Sequence, residues 1–163
     1  MVRPPFVYYS TAAEYRRHYV QMYCRNVTIT FDGIRIFFSP QRFDHAFYES
    51  VNRDGRKDVF SIARAQRIDW IKATLENQEA IVYEGWDKRT RIYDCTRRVS
   101  IVYGSFVVIV SLSLKRDGTL KGNFITCFQA DNSIHKIRQS PEWTREKCLT
   151  RLQQKRQGYR REK

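Results

Sequence analysis

The sequence predicts a single α+β domain: N-terminal helices and one central helix pack on a four- to five-stranded antiparallel sheet, followed by a basic C-terminal helix. Two Asp-Gly pairs lie between alternating apolar residues, a pattern typical of β-hairpins. One long amphipathic segment precedes most of the predicted strands. The chain has 163 residues, of which 42% are hydrophobic, and this is enough to bury one core.

Two segments have helical periodicity. The first is predicted to form a helix over residues 11–24, because Thr11 and Glu14 have the spacing of a capping box. The central helix is predicted over residues 58–76, where apolar side chains occupy two sides of the helical wheel. Arg64 lies within one apolar stripe, so its charge needs an anion or carbonyl groups as partners.

The remaining periodicity is that of strands. Residues 27–38 are predicted to form a hairpin around Asp32-Gly33, and residues 41–50 to form a loop or a short helix. Further strands are predicted over residues 81–83, 91–93, 99–103, 106–114 and 120–128.

The last two strands define the two faces of the sheet. If Asp117-Gly118 is a two-residue loop, Val110 faces Ile125 and Ile109 faces Thr126. Ile125 then belongs to the apolar face, which the central helix should cover. The opposite face is mixed and includes Ser111, Ser113, Phe124 and Thr126.

The C-terminal segment carries most of the excess charge. Ser140-Pro141-Glu142 predicts a helix start, and the helix is expected to run over residues 140–157 and to end at Gly158. We therefore divide the chain into a domain over residues 1–138 and a basic tail over residues 139–163. The net charge is +13, and residues 136–163 hold ten basic residues against three acidic ones.

The composition favours a polyanionic partner. Twenty-one of the 30 basic residues are arginine, which binds phosphate with two parallel hydrogen bonds and stacks on bases. We therefore expect a nucleic acid as the partner. A soluble basic protein with a solvated tail is the alternative.

Several classes are excluded or disfavoured. The longest apolar run, residues 106–110, is too short to span a membrane, and the N-terminus does not have the pattern of a signal peptide. The four cysteines form no C-x-x-C pair, so we expect free thiols in the cytoplasm and no metal or other cofactor. Nucleotide-binding and zinc-protease motifs are also absent from the sequence.

RNA cleavage without a metal needs few groups, because RNA carries its own nucleophile, the 2′-hydroxyl. A base must take its proton, and cations must stabilise the charge that develops on phosphorus. His45 is the candidate acid or base, with an ordinary loop histidine as the alternative. Arg64 and Arg91 are candidate phosphate ligands, although Arg64 could instead make a structural ion pair. Arg89, Arg97 and Arg98 could serve equally well in place of Arg91, or only solvate the ends of strands. Thr126 could donate to a phosphate oxygen, or serve only as a strand residue.

Further residues are candidates for RNA binding alone. Tyr93 and Tyr103 could stack on bases, although tyrosines in strands more often pack. The basic candidates are Arg98, Arg145, Lys147, Arg151, Lys155 and Arg156, and those of the tail would act as a nonspecific electrostatic arm.

Four segments resemble a phage-associated nuclease-like family of the barnase–EndoU–colicin–RelE-like superfamily. They are the helix from Phe60 to Leu75, the basic strand Arg91-Ile-Tyr93, the apolar strand from Phe106 to Val110, and Phe124-Ile-Thr-Cys-Phe128. The resemblance spans residues 27–131. It implies a small metal-independent ribonuclease with an antiparallel sheet against N-terminal helices, and it favours Thr126 as a site hydroxyl.

We therefore predict a metal-independent endoribonuclease, toxin-like or associated with a phage or mobile element. Its partner would be RNA, for example tRNA or another structured RNA. His45 would be the acid or base, Arg64 and Arg91 the phosphate ligands, and Thr126 a hydrogen-bond donor. A protein inhibitor or antitoxin is a further possible partner. The alternatives are a noncatalytic nucleic-acid-binding module and a component of a virion or other complex that uses its basic tail.

Overall fold

The computed structural model describes residues 2–52 and 54–161. Met1, Arg53, Glu162 and Lys163 lie outside the described residues, although the predicted ranges 1–138 and 139–163 include them. The mixed α+β class is confirmed within the described part, which contains α-helices, a six-stranded sheet and two small two-stranded sheets.

The predicted N-terminal helix is confirmed. Helix α1 spans Ala12–Tyr19 and continues as a π-helical turn over Val20–Cys24. Thr11 and Glu14 form the expected capping box, in which each side chain accepts a hydrogen bond from the other residue's backbone N–H. The other helices are α2 Arg42–Phe47, α3 Ile62–Ala65, α4 Ile68–Leu75, α5 Ile134–Arg138 and α6 Arg145–Arg161.

The large sheet contains six strands in the order β1-β2-β10-β9-β8-β5. Its strands are β1 Thr28–Ile29, β2 Arg35–Phe37, β5 Ile81–Tyr83, β8 Val99–Tyr103, β9 Phe106–Leu114 and β10 Leu120–Gln129. The small sheets pair β3 Tyr48–Glu49 with β4 Val59–Phe60, and β6 Gly85–Asp87 with β7 Ile92–Asp94.

The prediction of a four- to five-stranded, purely antiparallel sheet was wrong, because the described sheet has six strands and β2 and β10 are parallel. Hairpin patterns reveal only neighbours that are close in sequence. More than 80 residues separate β2 from β10 in the sequence, so no local sequence pattern predicts that these two strands pair.

The prediction of one continuous central helix over residues 58–76 was wrong. Val59 and Phe60 form a strand against Tyr48–Glu49, and the helical segments α3 and α4 are separated at Arg67, where φ is −95° and ψ is 18°. The helical periodicity of the side chains does not report this strand pairing, because the partner residues lie ten or more positions earlier.

The hairpin between β9 and β10 corrects the predicted register. Lys115 N–H donates to the Thr119 carbonyl at 2.8 Å, so three residues rather than two form the loop, and Gly118 takes the left-handed conformation with φ 84°. Val110 consequently faces Phe124 and not Ile125. The register then shifts at Ile125, after which Ile109 faces Thr126 as predicted.

The start and end of the C-terminal helix were also predicted wrongly. Residues 141–143 run extended along β5: Glu84 N–H donates to the Pro141 carbonyl at 2.9 Å, and Trp143 N–H donates to the Val82 carbonyl at 2.8 Å. The helix therefore begins at Arg145, and Gly158 lies within it. Pairing with the open edge of β5 outweighs the local capping signal at Ser140.

Two apolar clusters lie on opposite faces of the large sheet. The main core packs α1–α4 and α6 on one face, and we call this the core face. The other face carries a smaller cluster with Val107, Ile109 and Phe128, onto which α5 packs through Ile134 and Ile137. The four cysteines are free thiols, as predicted.

Candidate nucleic-acid interface

The second sheet face forms the floor of a groove. Ser111 and Ile125 line one end of it, and Ile109 and Phe128 line the other. Thr126 lies on this same face, because it faces Ile109 across the strands, and its side chain is half-buried. The shift in register at Ile125 turns that side chain out of the main core and into this floor. The floor is thus the mixed face that the sequence predicted, with Ile125 in place of Phe124.

The hairpin of β6 and β7 forms one wall. Trp86 and Tyr93 face each other across it with ring centroids 5.0 Å apart, and both remain more than one-third exposed. Gly85 sits against the backbone of the Arg97–Arg98 turn, where a Cβ would lie 2.2 Å from the Arg97 carbonyl oxygen. Only glycine lets the hairpin approach this turn so closely.

The groove consists of two connected clefts. One is about 340 Å³ and the other about 580 Å³, and Trp86 and Arg98 line both. Cationic side chains outnumber acidic ones in the lining, which contains Arg42, Lys88, Arg97, Arg98 and Lys136 against Glu84 and Asp87.

The guanidinium groups at one end are free to bind a ligand. Arg42, Arg97 and Arg98 line the smaller cleft, and their side chains make no hydrogen bond or ion pair with any residue the structure describes. Arg98 is also held in the left-handed conformation, with φ 52°. A non-glycine residue with this backbone geometry is strained, and such strain concentrates at functional sites.

The acidic side chains of the groove already have partners. Asp87 accepts a hydrogen bond from the backbone N–H of Arg89 at 2.9 Å. Glu84 is 2% exposed and forms an ion pair with Lys147 of α6. The groove therefore presents net positive charge to a ligand.

His45 lies on α2 beside the same cations. Partial burial and the charges of Lys57, Arg42, Arg98 and Arg64 lower the pKa of His45 below its usual value of 6.5. At neutral pH the imidazole is therefore uncharged and able to accept a proton. Two of these cations, Arg42 and Arg98, also line the smaller cleft.

Arg64 has the partners that its place in an apolar stripe requires. Its Nε donates to the carboxylate of Glu49 at 2.9 Å, and Nη1 donates to the Ala46 carbonyl at 3.3 Å. These contacts fit the structural alternative, but they use only part of the five N–H donors of the guanidinium group. Arg64 therefore remains close enough to act on His45 and retains donors for a ligand.

The structure brings only some of the predicted site residues together. Tyr93 and Arg98 line the groove, and Thr126 lies on the sheet face that forms its floor without lining either cleft. His45 and Arg64 lie beside the groove cations.

Two predicted residues lie elsewhere. Arg91 is an exposed turn residue with φ 54°, and it is not among the groove-lining residues. Tyr103 packs under the N-terminal segment, where the Arg3 guanidinium lies 5.5 Å from its ring centroid.

The basic residues of α6 are mostly engaged with the rest of the domain. Arg145 binds Asp32, Lys147 binds Glu84, Lys155 reaches the Thr96 hydroxyl, and Arg156 reaches the Lys115 and Arg116 carbonyls. Arg151 makes no such contact with the described residues and lines a separate cleft of about 500 Å³ between β7 and α6. Much of the predicted tail is thus a docked helix and not a free arm.

Sequence reasoning missed Arg42, Lys57, Trp86 and Lys136. Arg42 precedes His45 by three residues, and a helix places such residues on one side. That spacing could have identified Arg42. Long-range packing alone brings Trp86 and Lys136 to the groove and Lys57 near His45.

Within the described ranges, no group of three or more His, Cys, Asp or Glu side chains is arranged to hold a metal ion. None of the described helices combines the length and apolar character needed to cross a membrane. Comparisons with protein-family models, curated proteins and solved structures find no match for this chain.

Proposed function

We propose that this protein binds RNA in the groove and cleaves it without a metal ion. The observation that carries the proposal is the convergence of three guanidinium groups, those of Arg42, Arg97 and Arg98, on a cleft beside His45. None of the three has a hydrogen-bond or ion-pair partner among the described residues. A phosphodiester fits such a cleft, because each of its anionic oxygens can accept hydrogen bonds from arginine.

His45 acts as the general base. Its lowered pKa keeps the imidazole neutral at pH 7, so it can take the proton of a 2′-hydroxyl. The resulting oxygen attacks the adjacent phosphorus and displaces the 5′-oxygen of the next nucleotide, leaving a 2′,3′-cyclic phosphate. The departing oxygen takes a proton from water.

Arginine stabilises the charge that builds on the phosphoryl oxygens. Arg98 and Arg42 are the principal groups, since no described residue engages their donors, and Arg64 contributes its remaining donors. Thr126 lies on the groove floor, where its hydroxyl can bond a phosphate oxygen. Arg91 contributes only long-range attraction. The resemblance to the barnase–EndoU–colicin–RelE-like superfamily supports the same reaction.

Recognition of the RNA uses the aromatic wall and the basic rim. Trp86 and Tyr93 expose ring surface on which a base can stack. Lys88 and Lys136 lie along the larger cleft and can bind neighbouring phosphates. Arg151 is the tail residue best placed to extend this contact. We place the protein in the cytoplasm, with an inhibitor or antitoxin as a further partner.

The experiment is incubation of the protein with total tRNA and rRNA in EDTA and, separately, in Mg²⁺. We expect fragments with cyclic-phosphate ends in both buffers. Loss of a general base costs about 10²- to 10⁴-fold in rate, so His45→Gln should abolish visible cleavage. His135→Gln is the matched control, because His135 is an exposed histidine on α5, and it should retain activity. Intact RNA in both buffers would refute the ribonuclease.

A noncatalytic RNA-binding module is the second candidate. One observation favours it: the other two histidines lie away from the cluster, His18 against Asp69 and His135 on α5, so His45 has no imidazole partner. This candidate predicts salt-dependent binding without turnover, weakened by Arg98→Gln in the same way as the ribonuclease. Binding without cleavage would select it.

A further inference from the structure

The two edge strands of the large sheet, β5 and β1, differ in whether another segment pairs with them. The β5 edge is covered by residues 141–143, which pair with it in an extended conformation. In the described part of the chain, no strand pairs with the outer edge of β1. Proteins usually protect such edges, because unpaired backbone groups recruit other strands.

The backbone of β1 is open over residues 27–29. Thr30 N–H donates to the Ile34 carbonyl at 2.9 Å, so Thr30 points its backbone groups toward β2. Hydrogen-bonding direction alternates along an antiparallel strand, and Ile29 therefore points its N–H and carbonyl outward. The outer side closes again at Phe31, whose N–H donates to the Leu75 carbonyl at 2.8 Å.

An apolar patch with a positive rim surrounds this open segment. Val27 is 53% exposed, Ile29 48% and Phe37 38%. They share one face with Arg35 and Lys121, because Ile29 faces Arg35 and Arg35 faces Lys121 across adjacent strands. The Arg35 and Lys121 cations lie 4.6 and 5.9 Å from the Phe37 ring centroid. We call these five residues the edge patch.

We propose that the edge patch binds a short β-strand of an acidic partner protein, which adds to β1 as a seventh strand. Backbone groups of residues 27–29 would supply the pairing, and the exposed Val27 and Ile29 would pack against alternate apolar side chains of the partner. Acidic side chains of the partner would alternate with these apolar ones, and the positive field of Arg35, Lys121 and the chain's net charge of +13 would attract them.

The charge argues for an acidic partner over a second copy of this chain. Each copy carries +13, so two copies would repel one another. The exposed aliphatic side chains argue against RNA, which binds aromatic platforms and cationic grooves. The proposal does not depend on the ribonuclease, since the edge patch shares no residue with the groove lining.

Synthetic peptides test the proposal by NMR. The probe is a capped peptide of about eight residues with alternating Glu and Val, a typical strand length. We expect shifts of the Val27–Ile29 amides and slower hydrogen exchange at Ile29. A peptide of alternating Lys and Val should bind at least five-fold more weakly. Ile29→Lys should lower affinity by a similar factor, whereas Ile62→Lys, which adds the same charge at another exposed isoleucine, should not.

Four results would overturn the proposal. These are no amide shifts with millimolar Glu–Val peptide, equal binding of the Lys–Val peptide, shifts of the same amides on dilution of the protein alone, and stronger shifts of these amides with single-stranded RNA. The third result would assign the edge patch to a second copy, and the fourth would assign it to RNA. Both Lys variants change exposed side chains, and their own spectra report whether the fold is retained.

Discussion

The ion pair between Glu84 and Lys147 offers a quantitative test of how α6 is held. The Glu84 side chain is 1% exposed, whereas Lys147 is 60% exposed. Lys147→Met leaves a buried carboxylate without its cation, which costs about 3–5 kcal/mol in a fully buried pair. Because water already screens the ammonium group, we expect about 2 kcal/mol here. For a chain of this size that corresponds to a Tm lower by about 4–8 °C.

Thermal and urea unfolding, followed by circular dichroism, would measure this loss. The double variant Glu84→Gln/Lys147→Met should recover at least half of it, because the amide needs no counter-charge. Lys72→Met is the control: it breaks an exposed ion pair with Glu76 and should cost about 0.5 kcal/mol or less. A double variant as unstable as the single one would refute the reasoning, since the loss would then not come from an unpaired carboxylate.

Three further predictions follow from the groove and the thiols. An NMR titration should place the pKa of His45 below 6.5, and Arg98→Gln should raise that pKa by a few tenths of a unit. Because the ribonuclease reaction requires the neutral imidazole, the acid limb of its pH profile should move to higher pH in the same variant. An unchanged titration midpoint of His45 would contradict the effect of the neighbouring cations. Gly85→Ala should destabilise the fold by about 1–3 kcal/mol in urea unfolding, because the added Cβ would lie 2.2 Å from the Arg97 carbonyl oxygen. The RNA affinity of this variant should also fall in a gel-shift titration. Stability equal to that of the wild type would show that the hairpin moves away freely. A thiol reagent should label Cys24 first in the native protein, because the other three cysteines are buried. Burial also raises the pKa of Cys127 and of Cys148 to about 12. Equal labelling rates at all four thiols would contradict this order.

Local signals predicted the elements whose partners are close in sequence. The capping box at Thr11, the hairpin around Asp32-Gly33 and the strands over residues 81–83, 99–103 and 106–114 were all predicted correctly. Each depends on side-chain periodicity or on a turn residue within a few positions. Gly33 and Gly118 both have positive φ, as the Asp-Gly signals imply.

Errors occurred where a distant partner outweighs the local pattern. Val59–Phe60 pairs with β3, residues 141–143 pair with β5, and β2 lies parallel to β10. One extra loop residue at the Asp117-Gly118 turn was enough to exchange Phe124 and Ile125 between the two faces. Because side chains alternate along a strand, a shift of one residue moves every side chain to the opposite face of the sheet. The register shift at Ile125 limits this exchange to the part of β10 beside the turn.

At the candidate site, too, local patterns select single residues, whereas distant contacts decide how those residues are arranged. His45, Arg64, Arg98 and Tyr93 could be selected from residue type and position alone. Their arrangement could not, because the Arg97–Arg98 turn approaches the groove only through its contact with Gly85, and Arg42 reaches it from α2. Tyr103 and most of the α6 cations bind other parts of the domain, and a count of charges cannot separate those from the free guanidinium groups.

The sequence by itself determined the mixed class, the net positive charge, the hairpins and the amphipathic helices, since these depend on composition and short-range periodicity. The tertiary structure decided the parallel pairing of β2 with β10, the residues that form the groove, and the edge that stays open. These features depend on contacts between segments many residues apart, whose geometry is set by packing of the whole core and not by any one segment.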